Sequence, residues 1–298
     1  MNTSNIEFDP PRGYNFLGLT NEEAAYANAA VVIVPVAYDG TTSYKSGTKD
    51  GPAAIIAASR EIESTDRDAE GDVADLGIAT ADEVEAEADG PAIMVEKVTR
   101  EVTRHLDAGK YCVMLGGEHS LTSGAVRAHQ QKYPDLSVLQ IDAHADMRDS
   151  YQGSKFSHAS VMRRVREMCP AVSVGIRSAS KGCLRALKEQ NAPVFWARDC
   201  VGRSDWHERA IAGLSPNVYL TFDLDGFDPS IMPAVGTPEP GGFLWHETLE
   251  FLRQVAAQRR IVGFDVMELM PIGGLHYADF TAARLVVELI RLTGGKRP

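Results

Sequence analysis

A chain of 298 residues with 44% apolar content can bury a large core, as one big domain or two small ones. Its 30 basic and 41 acidic residues leave a net charge of −11, which repels nucleic acid and attracts cationic small molecules. No apolar run reaches the roughly 18 residues of a membrane span, and residues 1–12 carry no basic stretch leading into an apolar one, so no secretory leader is expected.

Residues 1–30 are expected to form an N-terminal arm ahead of a single domain over 31–298. The first strand is predicted at Val31–Val36, and Gly51-Pro52 then opens a helix, with proline tolerated in the first turn. Met94, Val98, Val102 and Leu106 recur every four residues and predict a helix stopped by Gly109. A strand follows at Tyr111–Leu115, and Ser120 is placed to cap a helix running to about Tyr133. Further strands are predicted at Ser137–Ile141, Val172–Ile176, Val194–Trp196, Val218–Phe222 and Ile261–Val266. Helices are predicted at Trp245–Ala257 and Asp279–Leu292, the second ending at Gly294-Gly295. Several strands are nearly continuous Val/Ile/Leu runs, as expected when both faces of a parallel sheet are covered. The expected fold is therefore one α/β domain with helices on both faces of a mostly parallel sheet. The four cysteines (Cys112, Cys169, Cys183, Cys200) form no CxxC pair and read as reduced thiols of a cytosolic protein.

Three segments carry metal-type side chains, and each follows an apolar run: 115–120 (Leu-Gly-Gly-Glu-His-Ser), 141–146 (Ile-Asp-Ala-His-Ala-Asp) and 221–229 (Thr-Phe-Asp-Leu-Asp-Gly-Phe-Asp-Pro). Together they supply His119, Asp142, His144, Asp146, Asp223 and Asp225. Four carboxylates and two imidazoles exceed what one small divalent ion needs. They suit a pair of ions sharing bridging carboxylates, with room for a water. In open α/β sheets the binding crevice lies beyond the carboxyl ends of the strands, and three strand exits here aim ligands at one edge. Alternate positions in an extended chain share a face, which groups Asp142 with His144 and Asp146, and Asp223 with Asp225.

These motifs resemble the metal-binding segments of the ureohydrolases, the arginase and agmatinase family. The resemblance extends to 38–47 (Tyr-Asp-Gly-Thr-Thr-Ser-Tyr-Lys-Ser-Gly), 236–242 (Gly-Thr-Pro-Glu-Pro-Gly-Gly) and 265–271 (Asp-Val-Met-Glu-Leu-Met-Pro). It implies a three-layer α/β/α fold, a binuclear manganese centre with two Mn2+ per chain, and hydrolysis of a guanidino group to urea and an amine. It also implies a homo-oligomer, trimer or hexamer. One ion would be held by His119, Asp142, Asp146 and Asp223, and the other by His144, Asp142, Asp223 and Asp225. Two cations flanking a water would lower its pKa enough to make it a nucleophile at neutral pH. By the same resemblance Asp146 accepts and returns a proton, Glu268 binds the guanidinium, His158 shuttles protons near the leaving group, and Thr237 sits near the substrate. His105, His129, His207, His246 and His276 match no catalytic motif and are expected to be structural or at the surface.

Some positions depart from the family pattern. Ala159 follows the shuttle histidine where agmatinases usually have glycine, and Glu118 replaces the commoner aspartate. The loop at 147–156 lacks the asparagine- and threonine-rich stretch with which arginases grip an amino-acid head group. That points away from arginine and towards agmatine, hydrolysed to putrescine and urea in the cytoplasm. Aminopropylagmatine, guanidinobutyrate, arginine and formiminoglutamate are the alternatives that share the chemistry. Arg148 is expected to brace its loop by pairing with Asp149 or Glu239; facing the pocket, it would repel a distal ammonium. A mononuclear zinc deacetylase-type hydrolase would need fewer ligands than this chain offers. A non-catalytic homologue is expected to have lost a ligand. The loop at 40–49 lacks the GxxxxGK[ST] pattern of a nucleotide site.

Overall fold

The computed structural model describes residues 14–65 and 71–294. Residues 1–13, which include the stretch read for a leader, and Gly295 lie outside the described residues. Among the described residues, eight parallel strands form one sheet in the order β2-β1-β3-β8-β7-β4-β5-β6. They are β1 (Val31–Val36), β2 (Ile78–Thr80), β3 (Tyr111–Gly116), β4 (Leu136–Ile141), β5 (Ala171–Ile176), β6 (Val194–Trp196), β7 (Asn217–Asp223) and β8 (Arg260–Met267). The seven predicted strands are all present, and β2 is an addition. At three residues, on the sheet edge beside β1, β2 is too short to leave a pattern of its own.

Helices cover both faces. On one side lie α1 (Gly51–Ser59), α7 (His207–Ala212), α8 (Trp245–Gln258) and α9 (His276–Thr293), with Ile55, Ile211, Leu252 and Val286 meeting Val31, Ile33, Leu139 and Phe222 of the sheet. On the other lie α2 (Pro91–Asp107), α3 (Thr122–Lys132), α4 (Val161–Val165) and α5 (Lys181–Glu189), packing Met94, Val126, Val165 and Leu187 against Val32, Met114 and Val138. The remaining short helix, α6, is Ala197–Cys200. Alternate residues of one strand thus enter opposite cores, which is why the strands read as unbroken apolar runs. Each fully buried Val, Leu or Ile contributes about 1.5–3 kcal/mol from transfer out of water. Ahead of β1, Phe16 is fully buried, its N–H bonded to Thr80 Oγ1 at 2.9 Å.

The expected Ser120 cap is corrected by the structure. His119–Leu121 forms a 3-10 turn, α3 begins at Thr122, and Ser120 Oγ donates to the buried Glu118 carboxylate instead. A hydroxyl satisfies a buried charged acceptor more strongly than it satisfies a helix-end N–H. The four cysteines are free and buried, and burial pushes the Cys112 thiol up to about 12.

His105, His129 and His207 are buried structural residues, whereas His246 and His276 are exposed. His129 Nδ1 donates to Ala125 O at 2.8 Å, and its ring packs 4.7 Å from that of Tyr219. A Cβ at Gly263 would fall 2.2 Å from His129 Nε2, so only glycine leaves room for the ring. Burial lowers the His129 pKa to about 4, against about 6.5 in an unfolded chain. The unfolded state therefore binds the extra proton between those values. This contribution is complete above about pH 6.5 and is lost as pH falls towards 4, by about 3 kcal/mol. Urea melts should lose more stability over this range in the wild type than in His129→Gln; equal losses would remove the assignment.

Candidate active site

Five adjacent parallel strands, β1, β3, β8, β7 and β4, end on the same edge of the sheet. β3 leads directly to Glu118 and His119, β4 to Asp142, His144 and Asp146, β7 to Asp223 and Asp225, and β8 to Glu268. All six sequence-predicted ligands come together there. His119 Nδ1 lies 3.2 Å from Asp142 Oδ2, 3.3 Å from Asp146 Oδ2 and 3.2 Å from Asp223 Oδ2. His144 Nδ1 lies 2.7 Å from Asp225 Oδ2 and 3.8 Å from Asp142 Oδ1.

Backbone amides pin one oxygen of each of three carboxylates. Asp142 Oδ1 accepts from His144 N at 2.6 Å, Asp223 Oδ1 from Asp225 N at 2.9 Å, and Asp225 Oδ1 from Ala143 N at 2.9 Å. Gln140 Nε2 donates to Asp142 Oδ2 at 2.7 Å. His119 is oriented from behind, where its Nε2 bonds Thr221 Oγ1 at 2.8 Å. Thr122 Oγ1 and Tyr219 Oη donate to the buried Asp265 at 2.8 and 2.9 Å. A ligand histidine held through its far nitrogen presents the near nitrogen's lone pair to a cation.

Two compact donor sets result, His119–Asp142–Asp223 and Asp142–His144–Asp225, each with ligand atoms within 4.8 Å of one another. Asp142 is shared between them. Asp223, the second bridge in the family pattern, falls in the first set, with its Oδ1 held by the Asp225 amide as Asp142 Oδ1 is by the His144 amide. Asp146 approaches that set from 3.3 Å. The His119 Nδ1 atom is buried and makes no hydrogen bond among the described residues, although three carboxylate oxygens surround it. A buried nitrogen ringed by carboxylates fits a divalent-cation site, and the mixed imidazole and carboxylate donors suit a hard or borderline ion.

Electrostatics point the same way. Burial, reinforced by Asp223, Asp225 and Asp146, pushes the Asp142 pKa well above the usual carboxylate range. Burial and Asp225 do the same to Asp223. Burial disfavours charge on His144 too, but the Asp225 carboxylate outweighs it and moves this imidazole up to about 11. Carboxylates packed this closely require compensating positive charge.

Two residues adopt left-handed backbone conformations at the site, Asp146 at φ 47° and Glu268 at φ 68°. For a non-glycine residue this costs about 1–2 kcal/mol. The Asp146 carbonyl is held by Met162 N and Arg163 N, and Glu268 N donates to Gly117 O at 2.9 Å. Glu268 is 9% exposed, its Oε1 accepts from His119 N at 2.7 Å, and burial raises its pKa to about 8.

A cavity of about 160 Å³ opens over these groups, lined by Asp146, His158, Ala159, Asp223, Asp225, Thr237 and Glu268 with His144, Ser43, Lys45, Arg148 and Tyr151. Thus Thr237 and His158 share the pocket with the carboxylates. Burial lowers the His158 pKa. Arg148 differs from expectation. Asp149 is taken by Arg164 at 3.0 Å, the Glu239 carboxylate lies 3.9 Å from His144 Nε2, and Arg148 lines the pocket wall with its guanidinium 4.9 Å from the Tyr151 ring. Stacking on an aromatic face replaces the ion pair. Sequence reading gave no role to Thr41, Ser43, Gln140, Thr221 or Asp265. Gln140, Thr221 and Asp265 left a signal as polar residues inside the apolar runs of β4, β7 and β8, and Thr41 and Ser43 as members of the 38–47 stretch.

The family model for the arginase family matches residues 29–291. The N(1)-aminopropylagmatine ureohydrolase of Synechocystis sp. is 41% identical over 278 residues, covering 91% of each chain. The agmatinase of Pyrococcus horikoshii is 35% identical, covering 89% of this chain and 93% of its own. Among solved structures, the agmatine ureohydrolase of Thermoplasma volcanium superposes with a TM-score of 0.83 at 30% identity, over 96% of this chain and 95% of that one. By matched length, identity and shared architecture, the chain belongs to the arginase family.

Proposed function

We propose that this protein hydrolyses the guanidino group of agmatine, releasing urea and putrescine, at a centre of two manganese ions. The observation that carries the reading is that His144, Asp146, Asp223 and Asp225 line one cavity with Glu268 and His158, with His119 3.2 Å from Asp223 and Asp142 3.8 Å from His144. When bound, the ion pair would supply Lewis acidity and a water acidified to near neutral pH. His119, Asp142, Asp146 and Asp223 would hold one ion, and His144, Asp142, Asp223 and Asp225 the other. Glu268, with Oε1 fixed by the His119 amide, leaves its second oxygen to accept a guanidinium N–H and orient the planar cation. Asp146 takes one proton from the attacking water and passes it towards the leaving nitrogen, and His158 supplies the other and is reloaded by the water's second proton through solvent. The substituted C–N bond breaks, the water oxygen becomes the urea carbonyl, and the equivalent of both water protons ends on the amine. The protein's negative charge favours capture of a cationic substrate. No helix among the described residues is long and apolar enough to cross a membrane; the reading places the enzyme in the cytoplasm as a homo-oligomer, trimer or hexamer, without nucleic-acid partners.

A second substrate is favoured by one specific observation. The relatives named N(1)-aminopropylagmatine ureohydrolase, from Synechocystis sp. and Thermus thermophilus, are 41% and 38% identical, above the 35% of the Pyrococcus agmatinase. Urea release from agmatine, aminopropylagmatine, guanidinobutyrate, arginine and formiminoglutamate by manganese-loaded protein separates the readings. Agmatine is expected to turn over fastest, with about two ions bound per chain. Faster turnover of aminopropylagmatine selects the second substrate, and urea from none of them, or one ion per chain, defeats the proposal.

A further inference from the structure

Glu118 is fully buried and has no cationic partner among the described residues. A buried carboxylate is tolerated only where hydrogen bonds satisfy it. Here two of the three donors come from outside its own segment. The Thr41 amide and hydroxyl both donate to it, the hydroxyl at 2.6 Å to Oε1, and Ser120 Oγ donates to the same oxygen. Glu118 N in turn donates to Tyr38 O at 2.8 Å, so the loop after β1 is fastened to the loop after β3 through both backbone and side chain.

The Thr41 hydroxyl continues the chain of contacts. Its hydrogen is committed to Glu118, so its oxygen only accepts on the other side. There it takes the His158 N–H at 3.0 Å and faces His158 Nδ1 at 3.4 Å, while Ser43 Oγ lies 3.2 Å from His158 Nε2. An acceptor facing Nδ1 places the ring hydrogen on Nδ1 and leaves Nε2, on the Ser43 side, free to carry a proton. The Tyr151 ring packs perpendicular to the imidazole, their centroids 5.8 Å apart.

We propose that Glu118 and Thr41 form a clamp that fixes the place and tautomer of the His158 ring over the pocket, making both of them positioning residues for the reaction. This rests on the reading of His158 as the group that delivers a proton to the leaving amine. The clamp acts on transfer to a bound substrate, so its loss falls on kcat, and the guanidinium grip of Glu268 is untouched.

The test compares Thr41→Val, Thr41→Ser and Glu118→Gln in the full-length, manganese-loaded protein, by urea release from the best substrate of the wild type. Misplacing a reacting group by an ångström costs on the order of 100-fold. Thr41→Val should therefore lose roughly 10- to 100-fold in kcat, with KM changed less than about threefold, and Thr41→Ser should restore kcat to within about threefold of wild type. Glu118→Gln, which gives up the charge-assisted bonds, should resemble Thr41→Val. If that variant fails to fold, the Val and Ser pair at position 41 decides alone. Wild-type kcat in Thr41→Val, equal impairment of the Val and Ser variants, or a kcat loss matched by lost manganese would overturn the clamp. An active wild type with an unaffected Thr41→Val removes the clamp only; a wild type that releases no urea removes the proposed function with it.

Discussion

Asp146→Asn should reduce urea release by roughly 10²- to 10⁴-fold, the usual worth of a positioned acid–base group. The side chain keeps its size but loses the capacity to accept a proton from the attacking water. The fold should survive for a specific reason. Residue 146 sits at φ 47°, a left-handed conformation that asparagine adopts as readily as aspartate. The carbonyl bonds to Met162 N and Arg163 N are backbone contacts and remain in place. Thermal melting should stay within a few degrees of wild type, which distinguishes lost chemistry from lost structure. Near-normal turnover in this variant would remove the proton-transfer role.

Gly117→Ala is expected to have the largest effect on stability among single methyl additions near the site. A Cβ there would meet Tyr38 O at 2.0 Å and Tyr38 C at 2.8 Å, both backbone atoms that cannot turn aside. The same residue lies where three chain segments are stitched together. Gly117 N donates to Val36 O at 3.0 Å, Glu118 N to Tyr38 O at 2.8 Å, and Glu268 N to Gly117 O at 2.9 Å. Relieving the clash separates the loops after β1, β3 and β8 and breaks bonds in each. Overpacking with lost backbone hydrogen bonds predicts a cost of about 3 kcal/mol or more. Gly273→Ala is the control, because a Cβ at Gly273 meets nothing within 4 Å. Urea midpoints and bound manganese should both fall in Gly117→Ala and hold in the control; equal midpoints would show that the loops yield without penalty.

The strands and the ligands were legible for one common reason. A parallel sheet buried on both faces writes Val/Ile/Leu runs, and polar side chains placed directly after such runs stand out. His119, Asp142 and Asp223 are each marked in this way. β2 was not legible, because Ile78, Ala79 and Thr80 gain strand character only from their neighbour β1. The short helices α4, α6 and α7 are likewise held by packing, being below the length at which a helical period can be read. Arg148 was misread through competition, since Arg164, distant in sequence, takes the Asp149 carboxylate that adjacency suggested, and Tyr151 offers a ring face instead. The contacts of Glu118 and Thr41 span 77 residues and depend on how two loops meet, which no local pattern records.

The sheet's two borders, β2 and β6, are three residues long each. Such stubs offer few free amides and carbonyls for another chain to pair with. Copies of this protein therefore have little means of joining by continuing one another's sheets. Any assembly would instead be built from helix flanks and loop surfaces, where side-chain fit sets the geometry of the contact.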